Sequence, residues 1–215
     1  MVKTRLAQIL PAAAVTELYR RLLLDTIALT QSLDGVDVAI MCPASDVNDL
    51  TRTVGESVAV VSQMGDGLAA GLTSVFARFA SAGHRRVIAF NSDSPHLPAS
   101  VLKRAFDALA ACDLVIGPTH DGGYYLVGAT AFHPKLFTND SMGTGNALQA
   151  LLAQGQSLGL VSHLVDPFYD IDVAADLSRL AAELQPDPTK APRTAEWLLE
   201  WGKTMQPTRP GGADP

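Results

Sequence analysis

The feature that most constrains this chain is an alternation of short apolar runs with longer amphipathic stretches along most of its 215 residues. Apolar runs at 36–42, 58–62, 86–91, 114–117, 124–127 and 158–164 have the length of buried strands, and Pro43 ends the first. Between them, residues 12–33 set Val15, Leu18, Tyr19, Leu22, Leu23, Thr26 and Ile27 at helical spacing. A second long helix is predicted over 67–82, with others over 45–52 and 99–110 and near 144–154, 174–184 and 192–203. Strands and helices in this order predict an α/β fold, a mostly parallel central sheet with helices on both faces. The length fits one domain over residues 1–205, followed by a Pro-, Gly- and Asp-containing tail over 206–215 that is expected to be mobile.

A hydrophobic content of 47% supports a sizeable core and excludes disorder of the whole. The net charge of −6 has the wrong sign for coating nucleic acid or an anionic membrane. Small phosphate ligands remain compatible, because a few local donors and a metal outweigh a negative mean field. The acids divide into 17 Asp and 5 Glu, and Asp favours turns, caps and tight oxygen ligation, which directs attention to the loops. Cys42 and Cys112 lie in apolar, strand-like runs without metal-ligand spacing and read as reduced core thiols. No run approaches the ~20 apolar residues of a membrane span. Pro11, Glu17, Arg20 and Arg21 interrupt any signal-like region after Lys3 and Arg5, so a soluble, cytoplasmic protein is expected.

Several segments carry residues suited to chemistry. The run 87–90 delivers Asp93 just past its carboxyl end, where α/β sheets place ligands, and Pro95 and Pro98 stiffen the turn behind it. One strand-end Asp suits Mg²⁺ or Mn²⁺, which keeps waters and takes substrate phosphates as its other ligands; capping a turn is the competing role. In Thr119-His120-Asp121-Gly122-Gly123-Tyr124-Tyr125, the glycines permit positive φ and close backbone approach, although an ordinary hairpin explains them equally well. Asp170 and Asp172 alternate and share a face, while Asp172 or Asp176 could instead cap the next helix. Lys3, Thr4 and Arg5 form a workable phosphate clamp, or a solvated terminus. Gln63, Gly65, Asp66 and Gly67 make a Gly-rich entry between strand and helix, where backbone can approach a nucleotide.

Taken in order, Lys3-Thr4-Arg5-Leu6, Gln63 with Gly65-Asp66-Gly67-Leu68, Ser92-Asp93-Ser94-Pro95-His96-Leu97-Pro98, Gly117-Pro118 with Asp121-Gly122-Gly123-Tyr124-Tyr125-Leu126, and Asp170-Ile171-Asp172 with Asp176-Leu177 carry a resemblance. Over about residues 2–180 the chain resembles the GT-A-like bacterial glycosyltransferase family known as selenodomain-associated transferase 1. More distantly it is similar to the guanylyltransferases that activate phospholactate or molybdopterin. The resemblance implies a nucleotide-diphospho-sugar transferase fold, a metal held by Asp93 and Asp172, and nucleotide phosphates held by the basic first loop. Two departures stand out. The first strand and Pro-Gly turn of similar proteins are missing ahead of Lys3, and Ala69-Ala70-Gly71 replaces a Glu-Arg pair.

The expected activity is a metal-dependent transfer from a nucleoside-diphospho-sugar to a small acceptor, with Mg²⁺ or Mn²⁺ on Asp93 and Asp172. Lys3, Thr4 and Arg5 would hold phosphates, and Gln63, Gly65, Asp66 and Gly67 would face the base or ribose. Gly122 and Gly123 would admit the nucleotide closely, and Asp121 would position or deprotonate the acceptor hydroxyl. The alternatives are a nucleotidyltransferase that releases pyrophosphate from a nucleoside triphosphate, and a non-catalytic nucleotide-binding protein. The expected partners are a nucleotide or nucleotide sugar and a small acceptor, without nucleic acid. An unfilled central sheet position would favour a strand from another copy, which makes a homo-oligomer one expected outcome.

Overall fold

The structure, a computed structural model, describes residues 5–137 and 145–205. Its elements in chain order are α1 (Ala12–Gln31), β1 (Ala39–Cys42), α2 (Val47–Val54), β2 (Ala59–Ser62), α3 (Gly67–Ser81), β3 (Val87–Phe90), α4 (Ala99–Ala108), β4 (Leu114–Pro118), β5 (Tyr124–Ala129), α5 (Ala147–Ser157), β6 (Ser162–Leu164), α6 (Ala174–Leu184) and α7 (Pro192–Met205). Lys3, Thr4 and the tail over 206–215 lie outside the described residues. Short turns of 3₁₀ helix precede α1, flank α2 and precede α7.

The α/β class holds, and among the described residues the strands fall into two sheets. β1 pairs in parallel with β2, Ala39 opposite Ala59. The other sheet has the order β3-β5-β4-β6. There β5 runs antiparallel to β3 and β4, and β4 runs parallel to β6, so only β5 is reversed. The reversal follows from a tight turn: the link from Pro118 to Tyr124 is far too short for the crossover a parallel partner needs. Two apolar runs yield shorter strands than their sequence predicts. Residues 36–38 and 158–161 continue the runs that contain β1 and β6 but belong to neither strand.

Side chains of β4 alternate between two cores, which shows that helices cover both faces. Leu114 and Ile116 join Leu72 and Phe76 of α3 and Leu151 of α5. Val115 joins Val101, Leu102 and Ala105 of α4. Leu23 and Ile27 of α1 cover the smaller sheet together with Val54 and Val58. The other side of α1, Val15, Leu18 and Leu22, packs on Tyr169, Ile171 and the apolar sides of α6 and α7.

Cys42 and Cys112 are free thiols. Cys112 lies in the loop between α4 and β4 rather than in a strand, and its Sγ lies 3.1 Å from the Ala108 carbonyl. Among the described residues no helix is long and apolar enough to cross a membrane.

Candidate functional site

The loop after β3 is tied down along its length. The Asn91 amide donates to the Tyr125 carbonyl at 3.0 Å, and the Thr26 hydroxyl of α1 donates to the Ser92 carbonyl at 3.2 Å. The buried Ser94 hydroxyl donates to the Tyr169 carbonyl at 2.8 Å, and the Ile171 amide donates to the Asp93 carbonyl at 3.1 Å. The last two bonds staple the Asp93 loop to the segment that carries Asp170 and Asp172. As a result, three half-buried carboxylates, from Asp93, Asp170 and Asp172, offer oxygens within 4.8 Å of one another.

An all-oxygen, all-carboxylate donor set fits a hard divalent cation such as Mg²⁺ or Mn²⁺ and offers nothing to a soft metal. The roles left open between Asp172 and Asp176 divide cleanly. Asp176 Oδ2 accepts from the backbone amides of Asp172 at 3.0 Å and Val173 at 2.8 Å, at the start of α6. Asp176, in the first turn of α6, thus reaches back to the amides just ahead of the helix, and Asp172 stays in the carboxylate cluster.

The other candidates stand elsewhere. Asp121 accepts hydrogen bonds from the Thr119 hydroxyl and, at 3.2 Å, from the Gly123 amide. The Thr119 hydroxyl, aided by backbone amides and the Arg5 charge, holds its carboxyl below the usual range against a partial desolvation. Gly122 makes the turn at φ 89°, and a Cβ there would stand 1.9 Å from the Gly145 carbonyl oxygen. Gln63 lies over the first turns of α3, its amide donating to the Gly65 carbonyl at 2.8 Å. Gly65 and Gly67 take φ of 78° and 83°, and Asp66 sits at the N-cap of α3 without a side-chain capping bond.

A cavity of about 1440 Å³ opens beside Asp93. Gln63, Gly67, Asn91 and Ser92 line it; Arg5, Gly65, Asp66, Asp121, Gly122, Gly123 and Asp172 do not. Asn91 Oδ1 is buried there without a hydrogen-bond partner, and the Ser92 hydroxyl lies 3.3 Å from the Tyr19 hydroxyl. His96 is sealed behind the loop, and burial pushes its pKa down to about 4.

Residues 26–144, more than half of the chain, match a family described as an uncharacterized protein conserved in bacteria, DUF2064. The chain belongs to this family. Among solved structures it is similar to one from Desulfovibrio desulfuricans G20, described as a putative nucleotide-diphospho-sugar transferase. The TM-score is 0.85 at 25% identity, over 94% of this chain and 89% of that one. No functionally curated protein matches the sequence. This family member therefore has the nucleotide-diphospho-sugar transferase fold, with its carboxylate cluster past the carboxyl end of β3.

Asp170 was not among the metal ligands the sequence predicts, although its spacing from Asp172 placed both on one face. The signal was present in that alternation. What it lacked was the Ile171–Asp93 bond that turns this face toward the third carboxylate.

Proposed function

We propose that the protein transfers a glycosyl group from a nucleoside-diphospho-sugar to a small acceptor, with a divalent cation held by Asp93, Asp170 and Asp172. The single observation that carries this reading is the three-carboxylate cluster on a scaffold of this fold. A bound Mg²⁺ or Mn²⁺ supplies Lewis acidity to the departing nucleoside diphosphate. The chain's own residues do the rest. The stapled loops fix the three carboxylates before substrate arrives, so no reorganisation is needed at the moment of reaction. Arg5, with Lys3 and Thr4, adds donors for the phosphates. Gln63 and Gly67 line the cavity and would face the base or ribose, with Gly65 and Asp66 shaping the turn between them, and Asn91 Oδ1 offers an unused acceptor at the cavity wall. Gly122 and Gly123 make the tight turn that holds Asp121 in place. Asp121, held ionised by Thr119 and Gly123, is suited to orienting an acceptor hydroxyl more than to removing its proton.

The test is a thermal-shift series with nucleoside diphosphates, nucleoside triphosphates and nucleotide sugars, each with and without Mn²⁺. A nucleotide sugar at a hundred times its dissociation constant raises stability by about 2.7 kcal/mol. The expected shift requires Mn²⁺ and disappears in Asp93→Asn, while the ligand-free Tm of the variant stays within a few degrees of wild type. Pyrophosphate release from a triphosphate, with no response to any nucleotide sugar, would replace glycosyl transfer by nucleotidyl transfer.

A further inference from the structure

The helix α1 lays one stripe of side chains along the cavity beside Asp93. Thr16, Tyr19, Arg20, Leu23, Thr26 and Ile27 face it at the spacing of a single helical face. Arg20 is the cation of that stripe. Two contacts fix where the stripe meets the Asp93 loop. The Tyr19 hydroxyl lies 3.3 Å from the Ser92 hydroxyl, and the Thr26 hydroxyl donates to the Ser92 carbonyl at 3.2 Å. Arg20 stands between these anchors, one residue from Tyr19, so its half-buried side chain lines the cavity at the Asp93 end. The other basic side chains of the cavity wall belong to its far end. His84, Arg85 and Arg86 precede β3, and Lys103 lies one turn of α4 from Phe106, whose carbonyl accepts from Arg86 at 3.2 Å.

The bonds of Arg20 leave it available to a ligand. Its Nε donates to Glu17 at 3.0 Å, and the Nη edge of the guanidinium takes no part in that bond. Arg21 binds the same carboxylate through its own Nε at 2.6 Å and also reaches Glu196 of α7 at 2.8 Å. Glu17 therefore keeps a partner when Arg20 turns away, and an exposed pair of this kind is weak. The two neighbouring arginines differ in place as well. Arg21 ties α1 to α7 and is not part of the cavity wall, whereas Arg20 is.

We infer that Arg20 is a phosphate-binding residue of this site, and that its ligand is the diphosphate of a nucleoside diphosphate or nucleotide sugar. The inference rests on the glycosyl-transfer reading and adds to it a ligand contact from α1. Its length argument comes from Ser92. That hydroxyl lies 3.4 Å from Asp93 Oδ1 on one side and 3.3 Å from the Tyr19 hydroxyl on the other. The carboxylate and the arginine-bearing turn of α1 are thus joined through two hydroxyls. Two phosphates linked through one oxygen are long enough to touch a cation on the carboxylates and the α1 wall together, and a single phosphate is less so. A divalent cation takes only part of a diphosphate's oxygens. The planar fork of a guanidinium matches a pair of those that remain, and the apolar bodies of Tyr19 and Leu23 beside it strengthen a charged hydrogen bond by limiting water.

The experiment measures binding of Mn²⁺ alone, and of ADP, GDP, CDP and UDP each with Mn²⁺, by titration calorimetry. Wild type is compared with Arg20→Gln, Arg20→Lys, Arg21→Gln, Glu17→Gln and Asp93→Asn. For the diphosphate that wild type binds most tightly, Arg20→Gln is expected to raise Kd about 20-fold, the loss of a hydrogen bond between charged groups. Its affinity for Mn²⁺ alone is unchanged, which separates Arg20 from the carboxylates. Arg20→Lys keeps the charge without the fork and falls between the two. Arg21→Gln removes the same charge one residue away and leaves diphosphate binding as it was. Glu17→Gln releases Arg20 and tightens binding about three-fold, a gain that vanishes when Arg20→Gln is added. Diphosphate affinity equal to wild type in Arg20→Gln would overturn the inference, as would an equal loss in Arg21→Gln, which would reduce the effect to general charge. Loss of Mn²⁺ and diphosphate in Asp93→Asn beside an unaffected Arg20→Gln would overturn the inference and leave the glycosyl-transfer reading standing. A wild type that binds no diphosphate with Mn²⁺ would overturn both.

Discussion

His96 sits between Phe168 and Tyr169, with ring centroids 4.8 and 4.9 Å away. Its Nε2 lies 3.5 Å from a Glu183 oxygen, and neither ring nitrogen makes a hydrogen bond. Burial drives its pKa down to about 4; Glu183 opposes this, and Arg179 and Lys190 add to it. The unfolded chain, with an ordinary histidine near 6.5, therefore takes the proton first as pH falls. Stability from this group is fully present above pH ~6.5 and is lost progressively toward pH ~4, by on the order of 3 kcal/mol. Urea unfolding of wild type and His96→Phe at pH 7.5 and 4.5 checks this. The variant is expected to lose less stability on acidification, and equal losses would show that other groups govern the acid limb. The ring also explains how the Asp93 loop stays rigid, because it fills the space between that loop and the Phe168–Tyr169 segment leading to Asp170.

At the scale of elements, the β4–β5 hairpin shows a turn chosen by its surroundings as much as by its own chain. Gly122 and Gly159 both take positive φ, 89° and 74°. A Cβ on Gly159 meets nothing within 4 Å, whereas one on Gly122 collides with the Gly145 carbonyl oxygen. Gly159→Ala therefore carries only the backbone cost of a left-handed alanine, about 1 kcal/mol. Gly122→Ala adds an overlap with backbone that cannot step aside, and it strains the Leu148 amide bond to the Gly122 carbonyl that ties α5 to the hairpin. The expected cost is about 3 kcal/mol or more. Urea midpoints of the two variants separate conformational strain from collision. The same tightness recurs at Gly117, where a Cβ would stand 2.5 Å from the Tyr125 ring.

Across the whole molecule, the two ends of the described chain are joined by one buried carboxylate. Asp25 of α1, 2% exposed, accepts from the backbone amides of Thr194 at 2.8 Å and Arg193 at 3.3 Å. These are the first free donors of α7, since Pro192 has none, and Ala191 ahead of them has no capping side chain. The Arg193 guanidinium, at 3.3 Å, adds a charged partner. Asp25→Ala leaves those donors buried without acceptors and is expected to cost about 2–3 kcal/mol, a fall in Tm of roughly 5–10 °C. Amide exchange in the first turn of α7 should rise with it. A loss confined to that turn, without a shift in Tm, would mean that α7 folds as a unit of its own.

The sequence by itself determined the elements. Apolar runs of strand length, helical spacing in residues 12–33 and 67–82, and turn chemistry at 120–123 depend on neighbours in the chain, and local side-chain chemistry carries them. It also placed Asp93 past a strand end and Asp170 and Asp172 on one face. The tertiary structure decided everything that needs two distant segments to meet. The Ile171–Asp93 and Ser94–Tyr169 bonds gather three carboxylates from positions far apart in the chain, and no local pattern encodes that juxtaposition. Asp25 as the cap of α7 and the role of Asp176 beneath Asp172 are equally non-local or depend on side-chain direction. The division into two sheets is the clearest case. Each strand is apolar on its own, and only the tertiary pairing shows that, among the described residues, β1 pairs with β2 alone and β3 with β5 alone.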